Sequence, residues 1–141
     1  MSSKKMSRRA ARETAFQLLF AWDFDRESPA EPFLDSFFDD GPVEDEYVRA
    51  VFSAVVSDCA PFDARIEEAA TNWKVSRMST VTRTILRLSV CELDLEDAPP
   101  KVVINEAIEL AKKYDDDAAP SFINGILNKI ARAEGKIGND A

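Results

Sequence analysis

The sequence predicts an all-α fold, and three observations carry that reading. Apolar residues recur at steps of three and four through nearly every segment, and no segment alternates with a period of two. Glycine is scarce, with four in 141 residues, which leaves little room for tight hairpins. Hydrophobic residues make up 45% of the chain, enough for one packed domain over residues 1–141. The termini, 1–6 and 136–141, are expected to be flexible.

The elements follow in order. Ala11, Ala15, Leu18, Leu19 and Trp22 mark a first helix from Ser7 to about Asp25. Ser28, Pro29 and Glu31 read as N-cap, N1 and N3 of a second, with Phe33, Phe37 and Phe38 on its apolar face. Asp39-Asp40-Gly41-Pro42 breaks it. A third helix runs from about Glu44 to Cys59, with Val48, Val51, Phe52, Val55 and Val56 inward. Pro61 suits the first turn of a fourth, whose stripe is Phe62, Ile66, Ala69, Ala70 and Trp73. NWKVSRMS reads as a loop, and Val81, Ile85, Leu86 and Leu88 begin a fifth helix that ends near Leu95.

Pro99-Pro100 closes one element and opens the next. Val102-Val103-Ile104 is β-prone, yet Val103, Ala107, Leu110 and Ala111 keep a helical period. In SFINGILNKIARAE, Asn124-Gly125 resembles a hairpin turn, but Phe122, Ile126, Leu127 and Ile130 carry the helical spacing across it. A glycine inside a helix costs up to ~1 kcal/mol relative to alanine, so a close helix–helix contact is expected at Gly125. The total is about seven helices and no strand.

Charge is unevenly placed. The net charge is -8, yet the first twelve residues carry five basic side chains (Lys4, Lys5, Arg8, Arg9, Arg12) and no acidic one. The other 129 residues carry 13 basic and 26 acidic side chains. A local basic patch still attracts a polyanion, because salt screens charges beyond ~8 Å. On a helix, Lys5, Arg9 and Arg12 fall at i, i+4 and i+7, and Arg8 and Arg12 at i and i+4, which aligns them for phosphates. Phe20, two turns beyond Arg12, is a candidate stacking surface for a base. The bland alternatives are a solvated basic tail and an ordinary core phenylalanine. Asp115-Asp116-Asp117 reads as a solvated loop or as a surface for a basic partner.

Several function classes lose support. The chain has no histidine, Walker loop, GxGxxG or CxxC, so no enzymatic activity, cofactor or metal site is expected. Cys59 and Cys91 sit in helical apolar patterns and read as reduced core residues. No apolar run nears the ~20 residues that span a bilayer and no secretory h-region opens the chain, so a cytoplasmic location is expected.

Taken together, RRAARETAFQLLFAWD, NWKVSRMSTVTRTILRLSVCEL and KVVINEAIELAKKYDDDAAPSFINGILNKI resemble the NusB family over roughly residues 7–131. The resemblance implies two packed three-helix groups plus one extra helix, and a non-enzymatic RNA-binding transcription antitermination factor. It implies binding to the boxA element of ribosomal RNA leader transcripts with the ribosomal protein NusE, and docking on RNA polymerase with other Nus factors. Carried over, the RNA-binding segment falls on Arg8, Arg9 and Arg12, with Lys4, Lys5 and Phe20. The NusE-facing surface falls on Arg77, Thr82, Tyr114 and Phe122.

The chain departs from the family at Phe20, where tyrosine is frequent, and at Thr82 and Ala118, where members carry an acid. Some members dimerise, so monomer and homodimer both stay open. A similar domain precedes the catalytic part of some RNA cytosine methyltransferases, for which residues up to Ala141 leave no room. The rival reading is a protein-binding helical module with a disordered basic tail and no direct RNA recognition.

Overall fold

A computed structural model describes residues 6–36, 41–71 and 73–138. Seven α-helices and no strand occur among them: α1 Arg8–Phe24, α2 Glu31–Ser36, α3 Glu46–Ser57, α4 Ala60–Ala69, α5 Thr80–Leu95, α6 Pro100–Tyr114 and α7 Ala119–Ala133. A single 3₁₀ turn, Val75–Arg77, lies in the predicted loop before α5. Lys4, Lys5, Phe37, Phe38, Asp39 and Asp40 lie outside the described residues.

Helix starts follow local capping chemistry. The hydroxyl of Ser7 accepts from Ala10 N at α1, Asp45 from Val48 N at α3, and Ser79 from Thr82 N at α5. Pro61, Pro100 and Pro120 stand in the first turns of α4, α6 and α7. The capping box proposed at Ser28 does not form. Ser28 N donates to Asp25 O (3.3 Å) and its hydroxyl to Asp25 Oδ2 (2.8 Å), so the exit turn of α1 uses both groups. The second helix therefore begins at Glu31.

The centre of the bundle is α5. Ile85, Leu86, Leu88, Val90, Cys91 and Leu93 are all buried, as expected of a helix covered on every side. It packs against α1, α3, α4, α6 and α7; α1 also packs on α3, α6 on α7, and α4 on α7. The two packed groups therefore share α5. Burial pushes the Cys91 thiol up to about 12, while Cys59 is half-buried and Arg26 Nη1 lies 3.7 Å from its sulfur.

Two packing expectations fail. The stripe on α4 buries Ile66 fully and Phe62, Ala69 and Ala70 in part, but Trp73 is 54% exposed. The helix stops at Ala69 and Thr71 adopts φ 55, so the chain turns before Trp73 completes the stripe. Gly125 lies in α7, but it is exposed, and apart from its own stretch of helix nothing comes within 4 Å of where a Cβ would stand. Its helical φ/ψ suits alanine, so Gly125→Ala is expected to stabilise the protein by about 0.5–1 kcal/mol. A thermal melt would show this as a rise of about 1.5–3 °C.

By contrast, Gly135 is needed where it stands. It adopts φ 71 and closes α7 through Gly135 N to Arg132 O (3.1 Å) and Lys136 N to Ala131 O (2.8 Å), a Schellman cap. That cap folds Ile137 back onto the core. At the other end, Met6 also packs on the core, and Thr14 Oγ1 lies 3.8 Å from its sulfur.

Candidate nucleic-acid interface

The first turns of α1 carry the predicted basic residues, and each described arginine meets a carboxylate. Arg8 Nη1 donates to Asp97 Oδ2 (2.6 Å), and its guanidinium lies 4.4 Å above the Tyr47 ring. Arg9 donates to both oxygens of Glu106, Nε at 3.0 Å and Nη2 at 2.8 Å. Arg9 remains 72% exposed, so a ligand can still approach it. That bidentate pair raises the Arg9 pKa and holds the Glu106 carboxyl below its ordinary value. Residues 8–12 are thus ordered helix, which disfavours a mobile tail over that stretch.

Arg12 departs from the expectation that it faces outward with Arg8 and Arg9. Its side chain is 7% exposed and donates three times to Glu92, at 2.5–2.9 Å. Tyr47 OH donates to Glu92 Oε1 at 2.7 Å, which completes a buried triad of α1, α3 and α5. The reason is the helix period: position 12 is three before Ala15 and four before Phe16, both buried. A phosphate therefore has far less access to Arg12 than to Arg8 or Arg9. Burial is the main cause of a raised Tyr47 pKa, so the phenol stays a donor.

Between α1 and α6 runs a groove of about 340 Å³, lined by Arg9, Arg12, Glu13, Glu106, Glu109, Lys112 and Lys113. Lys113 Nζ donates to Glu13 Oε2 at 2.5 Å, and Tyr114 OH donates to the same oxygen. Those hydrogen bonds, from Lys113 first, hold the Glu13 carboxyl below its ordinary range. Farther along α1, Phe20 is half-buried. It stacks on Phe16 with centroids 5.8 Å apart and meets Phe24 edge-on at 4.9 Å. Phe24, not singled out from sequence, is the open member of this row at 68% exposure.

A second groove, also about 340 Å³, lies where the 3₁₀ turn meets the starts of α5 and α7. It gathers Arg77, Thr82 and Phe122, with Trp73, Asp116 and Ala118. Trp73 and Phe122 meet edge-on with centroids 6.5 Å apart. Tyr114 is not in this groove. Its ring packs on Phe16 at 4.7 Å, and its hydroxyl accepts from Gln17 Nε2 at 3.2 Å. The buried Thr82 hydroxyl donates to Asp115 Oδ2 at 2.5 Å. Asp116 Oδ1 accepts from the N–H groups of Ala118 and Ala119 at the start of α7. Within the acidic run, these two carboxylates have structural partners.

Another carboxylate that sequence reasoning missed is Asp23. Its buried side chain accepts from Arg83 Nε (2.6 Å), Arg26 Nη2 (2.7 Å) and Arg87 Nη1 (3.4 Å), and Arg87 also pairs with Asp63. A lone acid on the inward half of a helix is the available sequence signal, since buried charge requires partners. The same signal applies to Glu92 within ILRLSVCEL. No helix among the described residues is long and apolar enough to cross a membrane.

Fold and site together define a small all-helical binding protein with two candidate contact surfaces. The chain belongs to the NusB family, whose model matches residues 9–132. It is 39% identical over 134 residues to the transcription antitermination protein NusB of Clostridium novyi (strain NT), covering 91% of this chain and all of that protein. It is 43% identical to the NusB of Geotalea uraniireducens (strain Rf4), covering 89% and 94%. The T. maritima NusB structure matches with TM-score 0.84 at 32% identity, covering 94% of this chain and 98% of that one. A crystal structure of antitermination factors NusB and NusE in complex with dsRNA matches with TM-score 0.77 at 33% identity, covering 89% and 96%.

Proposed function

We propose that this chain is an RNA-binding transcription antitermination factor that binds boxA-type RNA together with NusE and supports processive ribosomal RNA transcription. The observation that carries this reading is the match over 89% of the chain to a chain of the NusB–NusE–dsRNA complex. It works in the cytoplasm as a non-enzymatic adaptor, docked on RNA polymerase with other Nus factors. Arg8 and Arg9 meet phosphates, joined by Lys4 and Lys5. The Phe20–Phe24 row offers rings for unstacked bases. Arg12 anchors the helix that presents these groups. Arg77 and Phe122 face NusE across the aromatic groove, with Thr82 buried at its base, while Tyr114, packed on Phe16, lies outside it. The acidic body suits a basic ribosomal partner and weakens RNA binding elsewhere.

Titrating a boxA-type RNA oligonucleotide with and without NusE tests the reading. Binding is expected to tighten when NusE is present and to weaken steeply with salt. Affinity that ignores NusE would sink the adaptor mechanism. Sedimentation across a concentration series, with and without RNA, decides between monomer and homodimer.

A further inference from the structure

We infer that Glu106 limits the RNA affinity of the free protein: its carboxylate, lodged against Arg9 and Arg12, competes with RNA phosphate for the cations of the α1–α6 groove. The inference rests on the RNA-binding reading above and adds regulation at that same surface. In sequence the N-terminal segment is a basic run, but the fold sets a carboxylate against each of Arg8, Arg9 and Arg12. The groove's cations are Arg9, Arg12, Lys112 and Lys113; its carboxylates are Glu13, Glu106 and Glu109, with Glu92 beneath on Arg12. Four positive groups meet four negative ones, so the groove carries no net formal charge toward a polyanion.

Glu106 differs from the other carboxylates in position. Its side chain is 12% exposed, both oxygens accept from Arg9, and Arg12 Nη1 lies 3.8 Å away. Glu109, by contrast, is 47% exposed and pairs with Lys112 at 3.4 Å. A half-exposed carboxylate can swing into solvent as phosphate arrives, whereas Glu106 stays where it is lodged. A phosphate approaching Arg9 meets a fixed negative charge, and charge-driven binding scales with the cations left free to neutralise phosphates.

The experiment compares wild type, Glu106→Gln, Glu109→Gln and Arg9→Ala, each titrated with a boxA-type oligonucleotide and with poly(U) over a salt series. Circular dichroism melts confirm that each variant is folded. Glutamine keeps the shape and one acceptor for Arg9, and Arg12 keeps Glu92. The E106Q affinity for both RNAs is expected to rise about fivefold near 0.1 M salt, against less than about twofold for E109Q. The salt slope of E106Q should steepen by about 0.7, as one further phosphate is neutralised. A fall or no change in E106Q affinity overturns the inference, as does an equal rise in E109Q, which would reflect net charge alone. If R9A binds RNA like wild type, the placement of the RNA surface fails and the inference fails with it. Arg9-dependent binding that does not rise in E106Q removes the inference alone.

Discussion

Replacing Glu92 with alanine is expected to destabilise the protein by about 3–5 kcal/mol, because it strands a charge inside the fold. Glu92 is 1% exposed. It accepts three hydrogen bonds from Arg12 and one from Tyr47. Without it, the guanidinium of Arg12 has only Glu106 nearby, at 3.8 Å, and the phenol of Tyr47 loses its acceptor. At about 3 °C per kcal/mol for a domain of this size, the melting temperature should fall by roughly 10–15 °C. The double variant Arg12→Met, Glu92→Leu is the informative control. It removes both charges and fills the space with apolar groups, so its stability should return to within about 2 kcal/mol of wild type. If the double variant were as unstable as Glu92→Ala, packing around the pair or the unpaired Tyr47 hydroxyl would be the cause, and a stranded charge would not.

How much of this was visible in the sequence depends on the range of each interaction. Helix α6 was legible despite its β-prone start, because Val103, Ala107, Leu110 and Ala111 face one core and burial sets the period. Helix α7 was legible across Asn124-Gly125 for the same reason, although the close approach expected at Gly125 is absent. The end of α4 was not legible: no glycine or asparagine stands at Thr71 to announce its left-handed turn. Trp73 therefore read as core, whereas it lies exposed beside Phe122 in the second groove.

The site itself was half legible. Composition marked α1 as basic and so picked out Arg8 and Arg9 as candidates, whose side chains the fold leaves accessible. It did not reveal that Glu92, eighty residues away, turns Arg12 inward, or that Glu106, ninety-seven residues from Arg9, covers it. Such pairs form only when the bundle closes: the helix period sets Arg12 on the inward face with Ala15 and Phe16, but no local signal names its partner. A basic run is thus a poor measure of the positive potential a folded surface presents.

That distinction shapes the expected behaviour of Arg8→Ala, Arg9→Ala. The double variant should lose RNA affinity by tenfold or more near 0.1 M salt. Its salt slope should shrink by about 1.4, near 0.7 for each single-strand phosphate that no longer meets a cation. Stability should fall by no more than about 1–2 kcal/mol, because Arg9 is exposed, Arg8 is half-buried, and each such ion pair contributes about 0–1 kcal/mol. Part of the weakening has a second source. Removing the arginines leaves Asp97 and Glu106 without these partners, and their charges then repel phosphate. The neutral swap Arg9→Ala, Glu106→Ala separates the two effects. It restores the charge balance of the groove but not the guanidinium donors, so affinity should stay well below wild type. Full recovery in the swap would mean that Arg9 acts only by covering Glu106 and never touches phosphate itself.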